Sequence, residues 1–384
     1  MSSNQKRILL LSAYDAVSHR AWRERLQQLL PEYQWTQLAL PARNFNWKIR
    51  GNSLIWAYTE AEVLHQSYDL LIATSMVDLS SLRGFVPELA AIPTIVYFHE
   101  NQFCYPQGKH RKDNIEHQLV PLYAALSGDR IIFNSEFNRQ SFLQGARNLL
   151  KKLPDKMPAA IVKKLESSEV IGVPLHCDIE RNMENGKALA ENKKQCNKDE
   201  FNLLWNHRWE YDKGPGLLLE VVTLISQQQL PLRFHVVGES FRDQPVEFSK
   251  IEELLRRHGQ QTGLTEGEFG FIPDPQEYRK LLASCDVVLS TAKHDFQGLA
   301  IQEACMQGCS PLTPNDLVYP EYLQSEFLYQ RKESDKETAE GIVSHLANWI
   351  STKQSGKGLP KADLEDFSNK VLAEKYKGLF SHLI

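Results

Sequence analysis

Two acidic residues, Asp295 and Glu303, lie eight positions apart in the segment 291–303, which reads T-A-K-H-D-F-Q-G-L-A-I-Q-E. Apolar residues before this segment predict a short buried strand, and a helical apolar pattern begins at Gly298. Backbone N–H groups at a helix start bind anions, and carboxylates accept hydrogen bonds from sugar hydroxyls. The spacing therefore indicates a sugar-nucleotide site, with Asp295 on the sugar and Glu303 on the ribose. The alternative is a solvated helix face, where two acids often occur at this spacing by chance.

The turn between these two acids is predicted to contact the donor as well. It combines a Phe-x-Gly turn with the start of a helix of small residues. Such a turn can orient a bound sugar through backbone and side-chain groups. The predicted donor contacts in it are Phe296, Gln297, Gly298 and Leu299.

A pair of cations, Arg208 and Lys213, follows an apolar run at 201–205 and lies five positions apart across one turn. A planar guanidinium and a compact ammonium from one loop can neutralise a diphosphate leaving group as its negative charge grows. We predict that these two residues promote departure of the nucleotide. The alternative is a surface Arg and Lys that pair with Glu210 or Asp212.

His99 follows another apolar run, at 94–98. A histidine at the carboxyl end of a strand in the first domain could hydrogen-bond the transferred sugar or the nucleophile. Its role as acid, base or positioning group stays open, and a structural histidine is the alternative. The next three residues, Glu100, Asn101 and Gln102, are predicted to contact the acceptor.

Two further loops are assigned to the donor. Ser18 and His19 follow the first predicted strand and should lie nearest the leaving phosphates. Phe271 and Ile272 lie where a short strand edge could hold a nucleobase through backbone groups. The chain contains no D-x-D pair, so we expect the two cations to take the role of a metal ion. We predict neither a metal nor a cofactor.

Short apolar runs alternate with helical stretches along the 384 residues. This alternation predicts an α/β protein with two Rossmann-like, doubly wound domains facing a cleft. The predicted N-terminal acceptor domain covers 1–178, a polar linker 179–200, and the nucleotide-sugar domain 201–362. A final helix lies within 363–384, and its return to the first domain is left open. The predicted strands are 8–11, 70–73, 94–98, 130–134, 170–173, 201–205, 234–237 and 287–290.

Charge is divided unevenly along the chain, whose net charge is −4. Residues 1–180 carry 20 Lys and Arg against 18 Asp and Glu, or +2, and the rest carries 24 against 30, or −6. A general nucleic-acid-binding protein is therefore excluded, and a polyanion would prefer the first part. Six cysteines without a C-x-x-C pair indicate neither disulfides nor a zinc site. A polar N-terminus and the lack of long apolar runs predict a cytoplasmic protein without membrane contact.

Five longer strings combine aromatic, His and Asn positions in a distinctive order. They are Leu40-Pro-Ala-Arg-Asn-Phe-Asn-Trp-Lys-Ile-Arg50, Phe98-His-Glu-Asn-Gln102, Phe133-Asn-Ser-Glu-Phe-Asn138, His207-Arg-Trp-Glu210 and Leu317-Val-Tyr-Pro-Glu321. With the acidic motif and the Arg and Lys-Gly pair, they resemble the tRNA-queuosine α-mannosyltransferase family of retaining GT-B enzymes. The resemblance covers nearly the whole chain apart from the linker and the C-terminal tail. The first acid of the motif is usually Glu and here is Asp295, and the usual glycines after the first strand are absent.

This resemblance implies retaining transfer of mannose from GDP-mannose to queuosine at the wobble position of tRNA-Asp. The acceptor hydroxyl would attack the face from which GDP leaves, and a β-phosphate oxygen would take its proton. Sugar and nucleobase rest on the resemblance alone. Another sugar nucleotide with a non-tRNA acceptor stays open, as does a non-catalytic tRNA-binding relative.

A basic and aromatic segment fits an RNA acceptor, because cations bind phosphates and rings stack on unpaired bases. The predicted acceptor contacts in it are Arg43, Trp47, Lys48 and Arg50. Further basic residues of this domain are Lys109, Arg111, Lys112, Arg147, Lys151, Lys152, Lys156, Lys163 and Lys164. For the run 151–164, a solvated helix face is an equal alternative.

Overall fold

The structure of the protein is a computed structural model that describes residues 5–104, 115–175, 200–240 and 244–384. Contacts between residues divide the chain into two compact units. The first unit contains Met1–Pro174 and Asp366–Ile384, and the second contains Leu175–Glu365. The predicted linker at 179–200 lies outside the described residues, apart from Glu200.

A six-stranded sheet forms the centre of the first unit. Its strands are β1 (Arg7–Asp15), β2 (Gln34–Pro41), β3 (Leu70–Thr74), β4 (Thr94–Phe98), β5 (Arg130–Phe133) and β6 (Glu169–Val170). Neighbouring strands are parallel, in the order β2-β1-β3-β4-β5-β6. Every residue of β3 and β4 is buried, as expected of strands covered on both faces.

Helices connect these strands. They are α1 (Val17–Leu29), α2 (Phe45–Thr59), α3 (Ala61–Leu64), α4 (Leu79–Phe85), α5 (Glu116–Ser127), α6 (Glu136–Lys152) and α7 (Ala159–Glu166). The longest, α6, begins where the Ser135 hydroxyl accepts a hydrogen bond from the Asn138 amide, at 3.0 Å. Such a cap satisfies one of the free N–H groups at a helix start.

The second unit also contains a six-stranded sheet of parallel pairs. Its strands are β7 (Phe201–Asn206), β8 (Leu232–Val237), β9 (Phe269–Gly270), β10 (Val287–Leu289), β11 (Ser310–Pro314) and β12 (Leu328–Tyr329). Their order is β12-β11-β10-β7-β8-β9. The helices of this unit are α8 (Pro215–Gln228), α9 (Glu247–Thr262), α10 (Pro275–Ser284), α11 (Leu299–Met306) and α12 (Asp335–Gln354).

The last helix, α13 (Asn369–Ser381), belongs to the first unit. The hydroxyl of Tyr376 accepts a hydrogen bond from the Trp22 indole at 3.1 Å and donates to the Gly172 carbonyl at 3.0 Å. All three groups are buried, so each needs these partners. The hydrogen bonds therefore fix α13 against residues from the beginning and the end of the main part of this unit.

Each sheet has one point where strand order reverses. In the first sheet β1 lies between β2 and β3, and in the second β7 lies between β8 and β10. Connections on the two sides of such a point leave a crevice at the carboxyl ends of the strands, where ligands of open parallel sheets bind. In the second unit, the loops that follow β7 and β10 therefore border the crevice where a ligand is expected.

The predicted α/β fold with two doubly wound parallel sheets is confirmed, and all eight predicted strands have a counterpart. The predicted strands do not include β2, β9, β11 or β12. Strand β2 is an edge strand whose central residues are half-buried on both faces. Strand β6 is shorter than the predicted run 170–173. The carbonyl groups of Ile171 and Gly172 accept hydrogen bonds from tyrosine hydroxyls instead of continuing the strand.

Candidate active site

Two loops meet at the carboxyl edge of the second sheet, one after β7 and one after β10. The hydroxyl of Thr291 donates to the Lys213 carbonyl at 2.8 Å and accepts from the Trp205 indole at 2.9 Å. Gly214 has a φ of +69°, and a Cβ there would lie 2.0 Å from the Thr291 carbonyl oxygen. A glycine is thus required where the two loops cross. This crossing brings the loop with Arg208 and Lys213 to the loop with Asp295.

Lys213 and Asp295 form the charged centre of this edge. The Lys213 ammonium lies 3.8 Å from the Asp295 carboxylate and 3.3 Å from that of Asp212, and it donates to the His294 carbonyl at 2.8 Å. Their side chains are only 12 % and 17 % exposed. Charges this far from solvent interact more strongly than surface pairs. A cation and an anion are therefore held side by side at the switch point of the sheet.

The Asp295 carboxylate is held by both of its oxygens. One accepts a hydrogen bond from the Gly298 amide at 3.0 Å, and the other accepts from the Tyr319 hydroxyl at 3.1 Å. Burial works against its ionisation, yet Lys213 and His207 hold the pKa of the Asp295 carboxyl below its usual value. The Asp295 carboxylate is consequently ionised, and its two hydrogen bonds fix its orientation. Although Asp is one methylene shorter than the Glu usual at this position, the Tyr319 hydroxyl reaches it.

His207, which the sequence analysis did not select, is buried beside these charges. Its Nε2 has no hydrogen-bond partner among the residues that the structure describes. Burial, and then the positive charge of Lys213, lower the pKa of His207 to about 4. At neutral pH it is an uncharged imidazole with one unused polar atom, and such atoms are rare inside proteins unless a ligand uses them.

Arg208 lies at the rim of this edge. Its guanidinium is 47 % exposed and contacts the Glu210 carboxylate at 3.0 Å. This is the surface pair that the sequence analysis held as the alternative to phosphate binding. Exposed pairs of this kind contribute about 0–1 kcal/mol, which is small beside a charge-assisted contact to phosphate. The pair is compatible with an exchange of partner when an anion binds.

The remaining predicted donor residues lie around the start of α11 and after β9. Phe296 packs edge-on against His294, with ring centroids 4.4 Å apart. The Gln297 amide donates to Gln302 at 3.0 Å, and both side chains are buried. Leu299 and the half-buried Glu303 lie on α11. Phe271, 61 % exposed, and Ile272 follow β9, next to β8 at the same edge.

In the first unit, His19 and His99 lie together although they are far apart in sequence. Their rings stack with centroids 4.2 Å apart, and the Trp22 ring meets His99 at 4.6 Å. Both histidines are buried, and the Nε2 of His99 has no hydrogen-bond partner among the described residues. Burial, and then the neighbouring His19, lower the pKa of His99 well below its usual value. Ser18 is exposed at the start of α1.

The loop that carries His99 is fixed by an asparagine network. The Asn134 amide donates to the His99 carbonyl at 2.8 Å, and the Asn138 amide donates to Asn134 at 2.8 Å. The buried Asn101 donates to Asn138 at 2.9 Å and to Ser141 at 2.8 Å. Asn101 therefore holds the loop internally, while Glu100 and Gln102 beside it are half-buried.

The predicted acceptor segment begins α2. Trp47 is 54 % exposed and its ring covers Gly51, where a Cβ would lie 2.4 Å from the ring. Arg43 is exposed, whereas Lys48 is buried. Arg50 contacts Asp78 at 3.0 Å and Glu116 at 2.5 Å. Trp47 and Arg43 are thus presented to solvent, while Arg50 is neutralised within the fold.

The residues that the structure describes include no group of three or more His, Cys, Asp or Glu side chains that could hold a metal ion. Within the same residues, no helix has the length and apolar character needed to cross a bilayer. Cys104, Cys285, Cys305 and Cys309 form no disulfide within the described residues, and Cys177 and Cys196 lie outside those residues.

Sequence profiles match both halves of the chain. The profile described as tRNA-queuosine alpha-mannosyltransferase N-terminal matches residues 7–175, and the profile described as glycosyl transferases group 1 matches residues 187–360. A tRNA-queuosine alpha-mannosyltransferase of Drosophila melanogaster is 30 % identical over 390 residues, covering 99 % of this chain and 98 % of that protein.

Solved structures with similar folds are glycosyltransferases and related proteins. HepE of Anabaena in complex with UDP and glucose has a TM-score of 0.60 at 16 % identity, covering 99 % of this chain and 100 % of that one. A UDP-forming trehalose-phosphate synthase of Burkholderia xenovorans has a TM-score of 0.62 at 10 % identity, covering 99 % of both chains. At such low sequence identities, the structural similarity establishes the fold alone, and this fold is GT-B. With the similarity along nearly its full length, the chain belongs to the tRNA-queuosine alpha-mannosyltransferase family and is a glycosyltransferase of GT-B fold.

Proposed function

We propose that this protein transfers mannose from GDP-mannose, with retention of configuration, to queuosine at the wobble position of tRNA-Asp. The observation that carries the proposal is the buried contact of Lys213 with Asp295, 3.8 Å apart at a strand-order switch point. It supplies a cation for a leaving diphosphate next to an oriented acceptor of sugar hydrogen bonds. The choice of mannose and queuosine is supported by the family to which the chain belongs.

The donor is held by the second unit. Lys213 and Arg208 neutralise the diphosphate as the bond between the anomeric carbon and the phosphate oxygen breaks. Asp295 and residues 296–299 orient the sugar, and Glu303 accepts hydrogen bonds from the ribose hydroxyls. Phe271 and Ile272 contribute contacts to the base. Since two cations stand where a metal would otherwise balance the phosphates, we propose that the reaction needs no metal.

The queuosine hydroxyl attacks the anomeric carbon from the face that the nucleotide leaves. A new bond forms between that hydroxyl oxygen and the anomeric carbon, and a β-phosphate oxygen of the departing nucleotide takes the hydroxyl proton. His99 is uncharged at neutral pH, because burial lowers its pKa, so it acts in this proposal by hydrogen bonding to the sugar or the acceptor. The first unit binds the RNA through Arg43 and the exposed ring of Trp47.

The test is to incubate the protein with queuosine-containing tRNA and a panel of GDP- and UDP-linked sugars, in the presence and absence of EDTA. The tRNA is then digested and its nucleosides are analysed by mass spectrometry. Hexose on queuosine with GDP-mannose only, in tRNA-Asp and regardless of EDTA, supports the proposal. Hexose from another donor would overturn the assigned donor, and the absence of hexose on queuosine with every donor would overturn the assigned acceptor.

A further inference from the structure

A basic surface lies at the far end of α6 from the His99 loop. Between residues 147 and 166 the chain has six Lys and Arg against two acidic residues, Asp155 and Glu166, which is a net charge of +4. The whole chain has a net charge of −4, so this stretch reverses the sign locally. We call it the α6–α7 surface; its basic residues are Arg147, Lys151, Lys152, Lys156, Lys163 and Lys164.

Two of these cations interact with other groups of the protein among the described residues. Arg147 contacts Glu166 at 2.6 Å, and Lys164 donates to the Leu126 carbonyl at 2.7 Å. The other four are exposed and have no ion-pair partner among the described residues; they are Lys151, Lys152, Lys156 and Lys163. Four unpaired cations close together repel one another and lower stability, so folding gives no reason for them.

A groove of about 550 Å³ runs through this surface, with Lys151 and Lys156 among the residues that line it. Its other walls are mainly apolar, from Leu150, Leu153 and Met157. Lysine stems can lie along apolar walls while the ammonium groups stay in water. Arg147, Lys151 and Lys156 thus line one groove together with a single acidic residue, Asp155. A groove with this excess of cations suits an extended polyanion better than a single phosphate.

The length of α6 fixes how far this surface lies from the His99 loop. The helix begins after Ser135, next to Asn134, whose amide donates to the His99 carbonyl at 2.8 Å. It ends at Lys152. At 1.5 Å per residue the two ends are about 25 Å apart. Because each strand of a duplex carries one phosphate per roughly 3.4 Å of helix axis, that separation corresponds to about seven nucleotides.

We propose that the α6–α7 surface binds the backbone phosphates of the base-paired stem next to the loop that carries the modified nucleotide. This proposal rests on the proposed tRNA acceptor and adds a second contact to it. A donor nucleotide is too short to join the two places, whereas a stem-loop RNA spans them. Phosphate contacts of this kind set the register of an RNA without reading its sequence.

The test is the binding of fluorescent RNA to the variant K151Q/K152Q/K156Q, measured by anisotropy at several salt concentrations. One probe is a queuosine-free anticodon stem-loop and the other is the same loop without its stem. We expect the variant to bind the stem-loop about 10- to 100-fold more weakly, and the slope of log Kd against log salt to fall by about 2 because each phosphate contact contributes about 0.7–0.9. Binding of the stemless loop should stay within twofold.

The matched control is K250Q/R256Q/R257Q, which removes three exposed cations from α9 and should leave both probes unaffected. Equal weakening by the control, or an unchanged stem-loop affinity and salt slope in the first variant, would overturn the proposal. So would an equal loss with the stemless loop, because the lysines would then act through the fold. Since binding is measured without transfer, failure of the proposed reaction appears separately, as wild-type protein that adds no hexose to queuosine.

Discussion

The two candidate regions of this molecule are built from different chemistry. In the second unit, the Lys213 ammonium lies within 4 Å of the Asp212 and the Asp295 carboxylates at the edge of the sheet. In the first unit, His19 and His99 stack on each other among aromatic rings, and their pKa values are lowered so that both are neutral. A leaving diphosphate needs fixed charge, whereas a sugar or a base needs hydrogen bonds and rings. Under the proposed function, the charged region serves the leaving diphosphate and the neutral region serves the acceptor.

Removing the cation of the second unit should have the largest effect. Lys213→Ala is expected to lower kcat roughly 10²- to 10³-fold, the scale of losing one preorganised donor to a developing negative charge. Steady-state transfer at saturating donor measures it. Lys293→Ala is the matched control, because Lys293 lies over the Tyr211 ring at 4.3 Å on the adjacent loop. Near wild-type turnover of a folded Lys213→Ala protein would contradict the assignment of charge to this region.

In the first unit, the role of the His99 ring nitrogens is tested by replacing histidine with an aromatic residue that has no polar atoms. His99→Phe keeps the stacking but removes both ring nitrogens, and we expect kcat to fall roughly 10- to 100-fold, at or below the lower end of what general acid–base groups contribute. Because His99 is neutral, the wild-type pH–rate profile should show no step near 6.5 from this residue. His345→Phe is the control, since His345 packs on Trp349 at 4.5 Å, in the other unit. An active His99→Phe protein would make this cluster a packing feature only.

A smaller effect should follow when only the orientation of the carboxylate changes. Tyr319→Phe removes the donor to Asp295 and is expected to lower kcat about tenfold, which corresponds to about 1.4 kcal/mol, close to the lower end of what a hydrogen bond to a charged group contributes. Tyr329→Phe is matched, since its hydroxyl donates to the Ser290 carbonyl at 2.9 Å and not to Asp295. Equal losses in both variants would show that tyrosine packing, rather than the carboxylate contact, matters here.

The two regions also differ in how much of them the sequence reveals. The charged residues of the second unit belong to two short motifs, one after β7 and one after β10. The apolar runs predict strands whose carboxyl ends bring Lys213 and Asp295 together. The sequence did not predict Tyr319 or His207 as site residues. Tyr319 reaches Asp295 from 24 positions away, and His207 gains its character only from burial. No periodic pattern marks such residues, although both lie within the strings that resemble the family.

In the first unit, the arrangement around His99 depends on contacts that are distant in sequence. Trp22 binds Tyr376, 354 positions away, and stacks on Tyr97 with centroids 4.5 Å apart. Asn101 was predicted to contact the acceptor, yet its amide donates to three atoms of Asn138 and Ser141. A polar residue in a distinctive string can thus serve the loop rather than the ligand, and sequence gives no means to separate the two.

A test on stability instead of activity, and of what the two regions share, is the pH dependence of unfolding. The pKa of His207 is lowered to about 4, and burial lowers the pKa of His19 and of His99 as well. Below pH 6.5 the unfolded chain binds protons that the folded chain does not, so the free energy of unfolding should fall from pH 6.5 towards pH 4. It should be constant above about pH 7. Urea unfolding at several pH values measures it.

Single substitutions assign this slope to the two regions. Each neutral buried histidine contributes at most about 1.4 kcal/mol per pH unit, so His207→Gln and His19→Gln should each reduce the slope by up to that amount. Asp295 affects stability at a lower pH than the histidines, because its pKa is held below the usual value. Its stabilising contribution is lost only as the pH falls through that depressed pKa. Buried His235 of the second unit, whose pKa is lowered to about 3, contributes to the same slope, so the first unit is tested by His19→Gln. An unchanged slope in that variant would mean that His19 binds protons alike in the folded and the unfolded chain. The contrast between a charged and a neutral region would then have to be given up.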